Sequence, residues 1–136
     1  MPFRFPYQYG LLDHKKIPYP IVYVYLFTIL GKRRYSFIFD TGADYMMLPK
    51  YMATVLGIDL KSLKKSQARG INKTKVTIWE GTIPVAFCGL TFDVHVSFTN
   101  NNKTPLLLGK QDIFDRFNIL FDNDHQEIII SSRKSG

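Results

Sequence analysis

Residues 21–30 read IVYVYLFTIL, ten uncharged residues in a row, rich in β-branched and aromatic side chains. A helix needs about 20 apolar residues to cross a bilayer, so the run is too short to span as one. Its composition favours an extended strand. Gly31-Lys32 reads as a turn and residues 34–39 as a second strand, which makes a hairpin. Further strands are predicted over residues 76–79, 82–87 and 91–98. In the last, Phe92, Val94, Val96 and Phe98 alternate with Asp93, His95 and Ser97, the period of a half-buried strand. PLLLG (105–109) reads as a short buried strand, and NILF, DNDHQ and EIIIS as a closing strand, turn and strand. Two helices of about two turns complete the pattern. One opens at Leu48-Pro49, where proline loses no hydrogen bond, and stops at Gly57; the other covers KQDIFDRF (110–117). The class is all-β with two short helices.

The chain has 136 residues and is 46% hydrophobic, enough for one domain with a real core. Residues 1–19 read as an extended N-terminal arm rich in proline, 20–132 as the domain and 133–136 as a tail. Eighteen Lys and Arg against eleven Asp and Glu leave a net charge of +7. That balance alone reports a basic, soluble surface, and the lysine-rich stretch 61–75 reads as a solvated hairpin rather than a nucleic-acid site. Cys88 is the lone cysteine, so no internal disulfide or cysteine metal cluster is available. His14, His95 and His125 lack metal-ligand spacing. Neither metal nor cofactor is expected. The N-terminus lacks the apolar core of a signal peptide, so a cytoplasmic protein without a membrane partner is expected.

The residues that carry chemistry lie at the end of the second strand. Phe37-Ile38-Phe39 runs straight into Asp40, followed by Thr41, Gly42, Ala43 and a second acid, Asp44. A carboxylate directly after a buried strand is costly unless it is hydrogen-bonded or shares a proton. Gly42 allows close backbone approach, Thr41 supplies a hydroxyl and Ala43 keeps the site narrow. The bland reading is an aspartate that opens a turn by bonding nearby backbone N–H groups. Against it stands a second element some 65 residues on, the apolar run ending in Gly109 within PLLLGKQDIF.

FIFDTGAD followed by LLLGKQDIF resembles the retropepsin-like aspartic proteases of the peptidase A2 type, over roughly residues 20–131. The resemblance implies a closed, barrel-like β fold with one lobe per chain, paired as a two-fold homodimer. By it Asp40 is the catalytic aspartate, and Thr41 grips the partner subunit's backbone. Gly42 contacts substrate through its carbonyl, and Ala43 supports the site. Asp44 binds substrate backbone and pairs with a base just after the downstream glycine, here Lys110. Leu107, Leu108 and Gly109 are the strand that crosses behind the catalytic turn. A hairpin flap is implied around SQARGINKTKVTIW, with Gly70 at its tip and Ile71 touching substrate; Trp79 is assigned to the core rather than the groove.

Aspartic protease chemistry takes two carboxylates sharing one proton. The chain holds one Asp-Thr-Gly and no second such motif. The second carboxylate is therefore expected from Asp40 of another copy, across a two-fold axis. The expected activity is endopeptidase cleavage of extended polypeptides. A dimer on the same fold that binds peptides without cutting them is the alternative.

Overall fold

The computed structural model describes residues 2–69 and 75–134. Strand β1 (Phe3–Pro6) leads into a hairpin of β2 (Gln8–Leu12) and β3 (Lys15–Tyr19), then a second hairpin of β4 (Ile21–Thr28) and β5 (Gly31–Phe39). Beyond Asp40 come β6 (Met46–Pro49), helix α1 (Tyr51–Val55) and a 3-10 turn (Leu60–Ser62). Next are β7 (Lys64–Arg69), the 13-residue β8 (Lys75–Phe87) and β9 (Leu90–Thr99). β10 (Leu107–Leu108), β11 (Phe117–Asp122) and β12 (Glu127–Ser132) finish the fold.

Seven strands form one sheet in the order β4-β5-β10-β6-β9-β8-β7. β4 also pairs with β8 (Tyr25↔Ala86, Leu26↔Val85), so the sheet curls back on itself like a barrel. Closure satisfies backbone groups that an open sheet edge leaves unpaired. The interior takes every second residue. On β4, Val22, Val24 and Leu26 are buried; on β9, Val94, Val96 and Phe98 are. Phe37, Phe39, Phe87, Leu48, Leu108 and Ile113 fill the same core. A smaller sheet, β1-β12-β11, seals it by burying Phe5, Phe117, Ile128 and Ile130. No helix among the described residues is long and apolar enough to cross a membrane.

The mostly-β architecture is as expected, but several local elements differ. The β4–β5 turn sits at Ile29-Leu30, with Thr28 facing Gly31 in register, not at Gly31-Lys32. The Thr28 hydroxyl accepts from Leu30 N–H and donates to the Gly31 carbonyl, while Ile29 N–H donates to Val55 at the end of α1. Leu48-Pro49 ends a strand instead of opening a helix. Met46 and Leu48 are buried where β6 runs between β9 and β10, and burial in a sheet overrides the proline signal. The second expected helix is a chain of turns, because Asp112 adopts φ 68°, in the left-handed region. Its N–H groups still bond back helically on either side: Phe114 to Lys110 and Phe117 to Ile113. Residues 76–79 and 82–87 are one strand, since Glu80 and Gly81 stay paired with Ser97 and Val96. Within the proline-rich N-terminus, β1 pairs with β12, and Asp13-His14 turn the β2–β3 hairpin with both φ positive.

Candidate active site

β5 buries Phe37 and Phe39 and releases the chain at Asp40, which is half-buried at the strand's end. β10 lies parallel beside it, with Leu107 opposite Ile38 and Leu108 opposite Phe39. Ile38 N–H donates to the Leu106 carbonyl at 3.0 Å and Asp40 N–H to the Leu108 carbonyl at 2.9 Å. On the other side Phe39 N–H donates to the Pro20 carbonyl at 2.8 Å. The backbone under Asp40 is thus held from both flanks.

The chain then turns within four residues. Gly42 N–H donates to Asp40 Oδ1 at 2.9 Å, and Ala43 N–H to the Asp40 carbonyl at 3.1 Å. This is the turn that a lone Asp-Thr-Gly predicts. It fixes one carboxylate oxygen; Oδ2 has no hydrogen-bond partner among the described residues. A Cβ at Gly42 would stand 3.2 Å from Asp40 Oδ1, so glycine leaves the carboxylate its room. Thr41 is exposed, and its hydroxyl has no hydrogen-bond partner among the described residues.

The downstream glycine closes the site from behind. Lys110 N–H donates to the Ala43 carbonyl at 3.0 Å and Gln111 N–H to the Asp44 carbonyl at 2.8 Å. A Cβ at Gly109 would lie 2.6 Å from the Tyr45 carbonyl oxygen and 2.7 Å from the Asp44 carbonyl carbon, so no side chain fits there. Lys110 Nζ is 3.5 Å from Asp44 Oδ1, joining the acid and the base in one ion pair. With 41% and 64% of the two side chains exposed, the pair contributes little stability.

Of the sequence-derived site residues, the structure gathers Asp40, Thr41, Gly42, Ala43, Asp44, Leu108, Gly109 and Lys110 within one crossing of strands and turns. Gly70 and Ile71 lie outside the described residues. The hairpin that leads to them, β7–β8, pairs from Lys64↔Glu80 to Arg69↔Lys75. Trp79 is half-buried against the core, opposite Phe98, with Lys50 Nζ 5.7 Å from its ring centre.

A concavity of about 250 Å³ adjoins Tyr45 and is walled by Lys64, Glu80, Thr82, His95 and Ser97. His95 and Tyr45 rings lie 5.5 Å apart. Asp112 Oδ2 accepts from His95 N–H and meets its Nδ1, each at 2.9 Å. Partial burial pushes the Asp112 carboxyl up, but those two bonds, with the charges of His95 and Arg116, outweigh it and hold the group below its ordinary value. The sequence pattern predicts a helix at Asp112 and carries no sign of this link. The one available signal was a polar residue on the outward face of β9, with nothing to say which acid it meets.

A last feature beside Asp40 is apolar and exposed. Phe114 and Phe121 pack on Phe39 with ring centres 6.5 and 6.0 Å away. Phe114 is 45% and Phe121 37% exposed.

Solved structures of other proteins resemble this chain in fold. A retropepsin-like aspartic protease from Rickettsia conorii superposes with a TM-score of 0.61 at 24% identity, covering 82% of this chain and 89% of that one. The EIAV protease complexed with the inhibitor HBY-793 gives 0.52 at 18%, over 78% and 93%. The retroviral protease-like domain of Ddi1 from Leishmania major gives 0.54 at 14%, over 85% and 95%. These likenesses are of fold. Among curated proteins nothing matches the chain. The family model described as gag-polyprotein putative aspartyl protease matches residues 27–115, which includes the Asp40 turn, the β7–β8 hairpin and Gly109. The chain therefore belongs to the gag-polyprotein putative aspartyl protease family.

Proposed function

We propose that the protein is an aspartic endopeptidase whose active site forms between two copies, each contributing Asp40. The observation that carries this reading is the Asp40 carboxylate itself. One oxygen is fixed by Gly42 N–H, and the other has no partner among the described residues, at the half-buried end of β5. A second Asp-Thr-Gly is absent from the sequence, so a symmetric copy supplies it. The exposed Phe114 and Phe121, packed on Phe39 next to the turn, support a covered face there.

In the paired site the two carboxylates hold one proton between them, because two close negative charges repel. The ionised Asp40 takes a proton from a water, whose oxygen attacks the scissile carbonyl. The protonated Asp40 donates a hydrogen bond to the carbonyl oxygen as it gains charge. The C–N bond breaks as the nitrogen is protonated, and no covalent enzyme intermediate forms. Thr41 binds across the axis to the partner's backbone, and Ala43 keeps the wall narrow. Gly42 and Asp44 hold the backbone of an extended polypeptide, with Gly70 and Ile71 as further substrate contacts. Leu108, Gly109 and Lys110 brace the turn from behind. No metal or cofactor takes part. One unpaired cysteine suits a reducing, cytoplasmic setting.

Cleavage of a peptide library by the parent and by Asp40→Asn tests the reading. The variant keeps the parent's circular dichroism and self-association and loses cleavage, and parent activity per subunit falls on dilution. Equal cleavage by Asp40→Asn sinks the proposal. Binding of peptides by the parent with no cleavage at any pH would identify a peptide-binding dimer instead.

A further inference from the structure

The face of the β4–β5 hairpin turned away from the core is aromatic and basic together. Tyr23, Tyr25 and Phe27 point outward from β4, while Val22, Val24 and Leu26 point in. Residues two apart on a strand follow at about 7 Å, so the three rings form a row. Across the ladder, Arg34 faces Tyr25 and Lys32 faces Phe27. Each cation leans diagonally onto the preceding ring. The Arg34 guanidinium lies 4.5 Å from the centre of Tyr23, and Lys32 Nζ 5.0 Å from the centre of Tyr25. The β2–β3 hairpin extends the pattern. Lys16 Nζ sits 4.3 Å over Tyr9, and the neighbouring Gln8 amide donates to the Tyr23 hydroxyl at 3.2 Å.

Tyr23, Tyr25, Lys32 and Arg34 line a concavity of about 460 Å³ together with Phe3 and Leu90, and no Asp or Glu is in its lining. Neither Lys32 nor Arg34 forms an ion pair among the described residues. Tyr25 is 39% exposed and Phe3 43%. Outward positions on a barrel are ordinarily polar with charges of both signs interspersed. Here rings and positive charges alternate and no negative charge answers them.

We propose that this face binds single-stranded nucleic acid. Such a strand can serve both groups at once: phosphates in step draw Lys32 and Arg34 off the rings, and planar bases stack on the ring faces they leave. A duplex hides its base faces. An acidic peptide satisfies the cations but makes no use of a row of rings. Lys32 and Arg34 lie near the start of β5 and Asp40 just past its end, so this face and the proposed cleavage site sit at opposite ends of one strand.

Fluorescence anisotropy with a labelled 16-nucleotide oligouridine tests this on the full chain. Parent protein binds it at low salt in preference to a duplex of equal length. Tyr25→Ala weakens binding by about fivefold or more, the loss of one stacked base, and Tyr25→Phe restores it. Lys32→Gln with Arg34→Gln flattens the log–log salt slope by about 1.4, the loss of two phosphate contacts on a single strand. Melting curves check that each variant folds, and Phe27→Ala serves if Tyr25→Ala does not. The proposal is overturned by no binding at low salt. It is equally overturned if polyglutamate competes as well as oligouridine and ring removal changes nothing, for that is attraction between opposite charges only.

Discussion

Gly109 passes so close to Tyr45 that a single methyl on its Cα would sit 2.6 Å from the Tyr45 carbonyl oxygen. Everything beneath the Asp40 turn depends on that approach. With the strand at this depth, the Leu108 carbonyl reaches Asp40 N–H, and the N–H groups of Lys110 and Gln111 reach the carbonyls of Ala43 and Asp44.

Gly109→Ala is therefore expected to destabilise the fold by about 1–3 kcal/mol or more, because the obstructing atoms are backbone and cannot rotate away. Gly42→Ala is the matched contrast. Its Cβ would meet only the Asp40 carboxylate, at 3.2 Å. It is expected to change stability by less than about 1 kcal/mol while disturbing Asp40. Urea denaturation of both variants measures the difference. Equal stability of Gly109→Ala and parent contradicts the tight-crossing account.

The ion pair of Lys110 with Asp44 is wide and wet, at 3.5 Å with 41% and 64% exposure. A double-mutant cycle of Lys110→Gln and Asp44→Asn is expected to return a coupling of about 0.2–1 kcal/mol in the folded monomer, falling with added salt. A coupling above 2 kcal/mol means that the pair is buried in the working protein, as burial by a second copy would make it.

Much of this site was legible from sequence, for a physical reason. Phe37-Ile38-Phe39 before Asp40, and Leu106-Leu107-Leu108 before Gly109, are short apolar runs whose period and punctuation are local, so strand and turn can be read residue by residue. What local pattern could not supply is what packing decides. Pro49 reads as a helix start because proline suits that position, yet burial of Met46 and Leu48 between β9 and β10 makes the segment a strand. Asp112 reads as helical because its neighbours have that period. Its carboxylate instead turns the chain toward His95, 17 residues back, and no local signal carries that distance. The tyrosine row of β4 was visible as strand-forming residues, but its partnership with Lys32 and Arg34 needed the register.

Asp112 gives the fold a stability that acid removes. Its carboxyl is held below the ordinary value in the folded state, so between the two values the unfolded chain binds more protons than the folded one. The contribution is fully present above the ordinary carboxylate range and is lost as pH falls through the folded value. Asp112→Asn, which tolerates the positive φ, is expected to flatten the acid limb of the stability curve and to cost about 1–3 kcal/mol at neutral pH through the weakened bonds to His95. Denaturation series at several pH values between 3 and 7 measure it, and parallel acid limbs for variant and parent contradict the assignment.

Cys88 sits half-buried in the β8–β9 turn, and burial pushes its thiol up to about 12. At pH 8 almost none of it is thiolate, the reactive form. The higher intrinsic nucleophilicity of a basic thiol offsets only part of this. Iodoacetamide is expected to modify native Cys88 slower than a free thiol by about one to two orders of magnitude, with the difference abolished in denaturant. Mass spectrometry over a time course follows the reaction, and modification at the free-thiol rate in the native protein contradicts the burial.

Phe114 is the residue at which folding and assembly separate. It is 45% exposed in the single chain, so replacing it with serine removes only part of one side chain's packing from the monomer. It stacks on Phe39, next in sequence to the carboxylate that the proposed mechanism pairs across an axis. If two Asp40 side chains meet, this apolar face is covered with them, and each lost ring or branched side chain at a packed interface weakens association by about 1–3 kcal/mol. Phe114→Ser is thus expected to lower the melting temperature of the dilute monomer only modestly and to raise the dimer dissociation constant about tenfold. Cleavage should fall by the same factor at low protein concentration and recover at high. Sedimentation velocity and activity measured across one concentration series provide both numbers. If association is unchanged while cleavage is lost, the face serves substrate and not the second copy; if neither changes, the two Asp40 turns do not come together through it.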